Sequence, residues 1–194
     1  MTESPSAAPS QAAADRDVLL ATKLHVPRSR PDLVSRQRLE ERLDEGLGRG
    51  VVLVCAPAGY GKTVLLADWV RRGPRPAAWL SLDAGDNDPA RFWRHAVAAL
   101  DQARPGVADR VESLLGPPAA PSFAGVLTTL INELAAAGET ILVFDDYHLI
   151  DSQAVHASLG WLVSPARLSR DGRQRAAGRG QDLSLIHISE PTRP

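Results

Sequence analysis

The residues best equipped for chemistry lie in the run Val51-Val-Leu-Val-Cys-Ala-Pro-Ala-Gly-Tyr-Gly-Lys-Thr63. An apolar stretch, Val51–Cys55, feeds a Gly-containing loop that closes on Gly61-Lys62-Thr63, and an amphipathic segment follows at once. Strand, phosphate loop, helix is the order that holds a nucleoside triphosphate. Backbone N–H groups of the loop and helix start converge on the phosphates, and the helix dipole adds favourable potential there. Ala58, Gly59, Tyr60, Gly61, Lys62, Thr63 and Val64 are the residues expected to contact the nucleotide. Lys62 would bridge the terminal phosphates, a catalytic as well as a binding role, and the Thr63 hydroxyl would ligate Mg²⁺. The loop departs from the pattern GxxxxGK[ST] at its first position, Ala56, which requires a φ below zero there. The chain has only two lysines, Lys23 and Lys62, among its 22 basic residues, so the presence of one in this loop is informative.

A second element able to handle phosphate is Ile141-Leu-Val-Phe-Asp-Asp146, about eighty residues downstream. Its apolar run suits a strand buried on both faces of a parallel sheet. The run ends in two carboxylates at the strand's C-terminal edge, where open α/β sheets place their ligands. Asp145 is placed to hold Mg²⁺, usually through water, and Asp146 could polarise the attacking water as general base. Together the two elements imply ATP with Mg²⁺.

Several segments must position these groups. Residues 1–18 are rich in Ser, Ala and Pro and read as a disordered leader. Ser35 can cap a helix with Leu39, Leu43 and Leu47 on one face. The helix after the phosphate loop runs to about Arg72, Ala77–Leu82 is a short strand, and Phe92 to Ala103 is helical with Phe92, Ala96 and Ala99 on one side. Prolines punctuate the stretch around Val111–Leu115. Phe123 to Ala136 forms another helix, stopped at Gly138, before the carboxylate strand. Strands alternating with helices give an α/β fold, a parallel sheet flanked by helices, over residues 19–163.

At 194 residues and 44% hydrophobic content the chain can build one α/β core and little more. A net charge of −1 demands neither nucleic acid nor a membrane surface. The sole cysteine, Cys55, excludes an internal disulfide and reads as a buried small hydrophobe. No apolar run approaches a membrane span and no signal pattern opens the chain, so the cytoplasm is the default expectation. Asp83, Asp86 and Asp88 could bind a cation, but they lack a calcium-loop frame and read as a solvated loop before an Asp-Pro helix start. His148 and His156 read as packed or surface residues rather than ligands.

Taken together, Thr22-Lys-Leu with Val26-Pro27, Val34-Ser-Arg36, Ala58-Gly-Tyr-Gly-Lys-Thr63, Trp79-Leu-Ser-Leu-Asp83, Asp86-Asn-Asp88 with Arg91-Phe92, and Asp145-Asp-Tyr-His148 resemble the N-terminal domain of MalT-like regulators. These are a branch of the LuxR-type transcription factors built on P-loop NTPases of the STAND class. The resemblance covers roughly Leu20 to Val163, and a small non-Gly residue at position 56 suits it. It implies an ATP-binding switch with slow turnover. Such a protein answers a small-molecule or protein inducer, self-associates, and binds promoter DNA through a C-terminal domain absent from this chain. The resemblance also implies that Arg36 lies near the adenine or the phosphates. A P-loop ATPase or phosphoryl-transfer enzyme unconnected with transcription is the alternative reading.

After about Ser164 the sequence departs from that family. Arg167, Arg170, Arg173, Arg175 and Arg179 stand among Gly, Ala and Gln without apolar periodicity, as in a basic nucleic-acid arm or frame-shifted coding. Leu183-Ser-Leu-Ile-His-Ile-Ser-Glu-Pro-Thr-Arg193 resembles a translated sequencing adapter, so residues 164–194 are expected to be a non-native, disordered tail. In this NTPase class a strand later in sequence inserts between the carboxylate strand and the phosphate-loop strand. Leu168-Ser-Arg170 echoes only its end, so the sheet is expected to be incomplete at its C-terminal end unless the alternating Leu183–Ile188 enters the slot. An empty slot implies a poorly stable and inactive fragment. Closing it would shift Asp145 by about 4.8 Å relative to Lys62.

Overall fold

Apolar, β-branched runs set between glycine- or proline-bearing turns become strands in the computed structural model, and the segments with 3.6-residue periodicity become helices. The structure describes residues 20–28, 36–47, 50–109, 111, 125, 127–130, 132–133, 138–163 and 183–189. In chain order these form α1 (Leu20–Lys23), α2 (Gln37–Leu47), β1 (Val51–Cys55), α3 (Lys62–Arg72), β2 (Ala77–Ser81), a 3-10 turn (Ala84–Asn87) and α4 (Pro89–Ala103). β3 (Thr140–Asp145), a second 3-10 turn (Tyr147–Leu149), α5 (Gln153–Leu162) and β4 (Leu183–Ser189) follow. Residues 127–130 of the expected 123–136 helix are helical, and Leu127 and Leu130 are buried. The leader, Ser35, most of the Val111–Leu115 stretch and Leu168-Ser-Arg170 lie outside the described residues.

The four strands form one parallel sheet in the order β1-β4-β3-β2. Side chains alternate between its faces. Ile141 and Val143 therefore join Trp79, Leu43, Leu47, Leu65, Leu66, Trp69 and Val70 under α2 and α3. Leu142 and Phe144 join Ala78, Leu80, Phe92, Trp93, Val97, Leu100, Val155 and Leu159 under α4 and α5. Phe92 stacks on Phe144 with ring centroids 5.2 Å apart, and its other neighbour Trp93 donates from Nε1 to Ser158 Oγ at 2.9 Å. α4 is thus locked to β3 and to α5. Full burial of Phe92, Trp93 and Phe144 contributes roughly 1.5–3 kcal/mol per side chain.

Every residue of β3 is buried, as its unbroken apolar run demands. β1 differs: Val52 and Val54 pack against the α2/α3 core, whereas Val51 and Leu53 point outward, Leu53 being 61% exposed. Cys55 shares that outward face and is exposed, which corrects its reading as a buried hydrophobe. The reason is position: β1 is an edge strand of the described sheet, and among the described residues helices roof one of its faces.

Residues 183–189, read as tail unless Leu183–Ile188 enters the empty slot, occupy that slot: they form β4 between β1 and β3, in register Val51↔Leu185 and Leu142↔Leu185. The physical reason is backbone pairing. β1 and β3 each need partners for a row of N–H and C=O groups, and a short segment of alternating apolar residues can supply both rows. The rest of the tail lies outside the described residues.

Candidate functional site

β1 delivers the chain into the loop Ala56–Gly61, and α3 starts at Lys62. Gly59 and Gly61 take φ of 80° and 74°, conformations that a side chain would strain. Ala56 needs no such conformation: among the described non-glycine residues only Asp146 has a positive φ. Gly61 caps α3 without a side-chain bond, so nothing from the cap residue occupies the first N–H groups of the helix. That leaves a helix start suited to an anion.

The Lys62 ammonium reaches back over the loop, donating to Ala56 O at 2.6 Å and Pro57 O at 3.1 Å. Arg36, on the approach to α2, donates from Nη1 to Tyr60 O at 2.9 Å, and its guanidinium lies against Gly61. Two cations therefore sit on a loop of only a few residues. Tyr60 and Val64 are exposed beside them.

Thr63, in the first turn of α3, donates from Oγ1 to Asp145 Oδ1 at 3.0 Å. Asp145 ends β3 and is buried, and the Asp146 N–H also donates to its Oδ1 at 3.1 Å. Burial, then the neighbouring Asp146 charge, raises the Asp145 carboxyl above its ordinary value. The Thr63 and Asp146 bonds and the Lys62 charge oppose this without cancelling it. Asp146 occupies the left-handed region at φ 58°, ψ 34°, and its side chain is half-exposed, with Oδ1 3.9 Å from His148 Nδ1. A hydroxyl and a carboxylate, both hard oxygen donors, meet beside a cationic loop and an uncapped helix start. These residues fit Mg²⁺ with a polyphosphate.

The acidic loop is not a solvated surface feature. Asp86 is fully buried and receives Lys23 Nζ at 2.6 Å, while the same ammonium lies 2.7 Å from Asp83 Oδ2. His95 Nδ1 stands 2.8 Å from Asp86 Oδ1, and Arg91 flanks both carboxylates. Burial pushes the Asp86 carboxyl up, but His95, Lys23 and the Asp83 N–H outweigh it and hold the group at about 2. The cation these carboxylates bind is the chain's other lysine. Asp88 caps α4 by accepting from Arg91 N at 2.8 Å, the helix start the Asp-Pro pair implied.

Two positioning residues escaped sequence reasoning. Lys23 fastens the N-terminal segment to β2's exit, and its rarity among the basic residues was the available signal. Asn87 bonds to the segment after β3, a relation across more than sixty residues that no local pattern reveals.

The family described as AAA ATPase domain matches residues 33–171. The HTH-type transcriptional regulator MalT of Cronobacter sakazakii is 36% identical over 147 residues, and that of Klebsiella pneumoniae is 34% identical over the same length. Each alignment covers 75% of this chain and 16% of the relative, so the chain spans about a sixth of the length of the curated relatives it matches. A solved structure titled "Structure of Drosophila ORC bound to DNA" aligns with a TM-score of 0.49 at 17% identity, over 99% of this chain and 47% of that one. Among the described residues no helix is long and apolar enough to cross a membrane. By the match across residues 33–171, which includes both the phosphate loop and the carboxylate strand, the chain belongs to the AAA ATPase domain family.

Proposed function

We propose that this chain is the ATP-binding switch domain of a MalT-like transcriptional regulator, working in the cytoplasm with Mg²⁺. The observation that carries the reading is the Thr63–Asp145 hydrogen bond beside the Lys62 loop. Loop N–H groups of Ala58 to Val64 bind the phosphates, and Lys62 exchanges its two loop carbonyls for phosphate oxygens. Arg36, already on the loop, adds a second positive charge near the nucleotide. Thr63 Oγ1 and Asp145 hold Mg²⁺, which supplies charge neutralisation on the phosphates when bound. Asp146 accepts a proton from the attacking water.

Slow hydrolysis suits a switch better than a metabolic enzyme, because ATP then acts as a ligand that biases one domain arrangement over another. The similarity to MalT regulators supports an inducer, self-association and promoter DNA as partners of the longer protein. The test is nucleotide binding by the full-length protein, followed with a fluorescent ATP analogue. Mg²⁺-dependent binding that Lys62→Ala weakens by about tenfold or more supports the reading, and unchanged binding in Lys62→Ala removes it.

A further inference from the structure

We infer that Asn87 is a positioning residue for ATP hydrolysis, holding the turn after β3 and, through it, the carboxylate of Asp146. The inference rests on the proposed role of Asp146 as the base for water. Asn87 ends the 3-10 turn that follows β2 and is partly buried. Its Oδ1 accepts from the backbone N–H groups of Asp151 at 2.8 Å and Ser152 at 2.9 Å. Its Nδ2 donates to Leu149 O at 3.0 Å and to Ala84 O at 3.2 Å. A primary amide offers two acceptor sites and two N–H donors, and here all four are used. Among side chains of this length only asparagine offers two donors together with two acceptor sites.

What this clamp holds is strained. Asp146 is the one non-glycine residue with positive φ among those described, a conformation that costs on the order of 1–3 kcal/mol and persists only where its surroundings impose it. On one side the Asp146 N–H is tied to Asp145 Oδ1. On the other, Asp146 O accepts from Leu149 N at 3.0 Å, closing the turn Tyr147–Leu149. The next carbonyl in that chain of bonds, Leu149 O, is the one Asn87 holds. The Asn87 amide thus ties the far end of the turn from outside the segment, while the Tyr147 hydroxyl, 2.6 Å from His156 Nδ1, ties its start to α5. It comes from the β2 exit loop, which is anchored in turn by Asp86 to Lys23 and His95.

Asn87→Asp separates the two halves of the clamp. An aspartate keeps both acceptor bonds at the start of α5, loses the donors to Leu149 O and to Ala84 O, and sets a carboxylate oxygen against those carbonyls instead. In the full-length protein we expect kcat for ATP hydrolysis to fall by about tenfold or more, with ATP affinity within about twofold of wild type and a cooperative unfolding transition retained. In an Asp146→Asn background the same change should cost nothing further, because Asn87 acts through Asp146. Undiminished kcat in Asn87→Asp overturns the inference. So does a parallel loss of ATP affinity, a lost unfolding transition, or a full additional loss in the Asp146→Asn background, each of which marks a merely structural role. If Asp146→Asn itself hydrolyses ATP at the wild-type rate, the reading of Asp146 fails and takes the inference with it. Slow Asp146→Asn with fully active Asn87→Asp removes the inference alone.

Discussion

Thr63 and Asp145 share a 3.0 Å hydrogen bond although 82 residues separate them and a whole strand, β4, lies between the strands they extend. The bond joins the two halves of the candidate site, phosphate loop on one side and carboxylate strand on the other. It also orients both oxygens toward one point, which is what a small divalent cation with exacting octahedral geometry needs.

Lys62 and Asp146 are expected to separate binding from turnover. Among the described residues the Lys62 ammonium bonds to two carbonyls of its own loop, so Lys62→Ala should leave the fold intact while lowering ATP affinity by roughly an order of magnitude or more. Asp146→Asn keeps the polar contacts of a half-exposed side chain and removes its basicity. Hydrolysis should slow by about a hundredfold or more with binding spared, leaving the switch on. Titration of ATP against both variants, beside steady-state hydrolysis, checks this. Equal loss of affinity in the two would mean that Asp146 holds nucleotide or metal rather than activating water.

Asp145→Asn should stabilise the nucleotide-free protein at neutral pH while abolishing its Mg²⁺ response. The Asp145 carboxyl is raised above its ordinary value by burial and by Asp146. A group whose folded pKa is raised binds its proton more tightly in the folded state, so an ionised Asp145 weakens the fold at pH 7 and its protonation strengthens it as pH falls. The stability gap between variant and wild type should therefore shrink on acidification. Thermal unfolding at pH 7 and at pH 4.5 without nucleotide measures it. A gap that widens toward acid contradicts the assignment.

The Gly61-Lys62-Thr63 loop and the carboxylate strand could be read from sequence because both are local patterns: an apolar run, a turn and a charged tip lie within a dozen residues. Asp86 could not be read that way. Its burial depends on Lys23, 63 residues earlier, and on His95, the seventh residue of α4. Three acidic residues in six look like a solvated loop until the ammonium that satisfies them is placed. Asn87 hides for the same reason, since its partners lie beyond β3. Cys55 was misread because strand burial depends on what roofs each face, and an apolar run does not disclose that it will stand at a sheet edge.

Lys23→Ala should destabilise the domain by about 3 kcal/mol, the lower end for breaking a buried pair, because His95 and Arg91 still face Asp86. The pH signature has the opposite sign to that of Asp145. Asp86 is held at about 2, below its ordinary value of 3.8, so its contribution is complete above about pH 4 and is lost as pH falls toward 2. Urea unfolding of wild type and Asp86→Asn at pH 5 and pH 2.5 should give a difference that narrows in acid. A constant difference would mean that Asp86 is not ionised in the fold.

The position of β4 can be tested by removing it. β4 pairs with β1 from Val51↔Leu185 to Cys55↔Ser189 and with β3 from Thr140↔Leu183 to Phe144↔His187. With strands about 4.8 Å apart, β1 and β3 stand about 9.6 Å apart only while something occupies the place between them. Ending the chain at residue 182 leaves a row of backbone groups on both neighbours without partners, and closing the gap would carry Asp145 past Thr63. The truncated chain should lose its cooperative thermal transition, and any ATP binding with it. Ile186→Pro, which removes a ladder donor from the middle of the same strand, should weaken the chain in the same direction. If truncation at 182 leaves unfolding and ATP affinity unchanged, residues 183–189 do not form the strand between β1 and β3, and the Thr63–Asp145 bond must be held by other means.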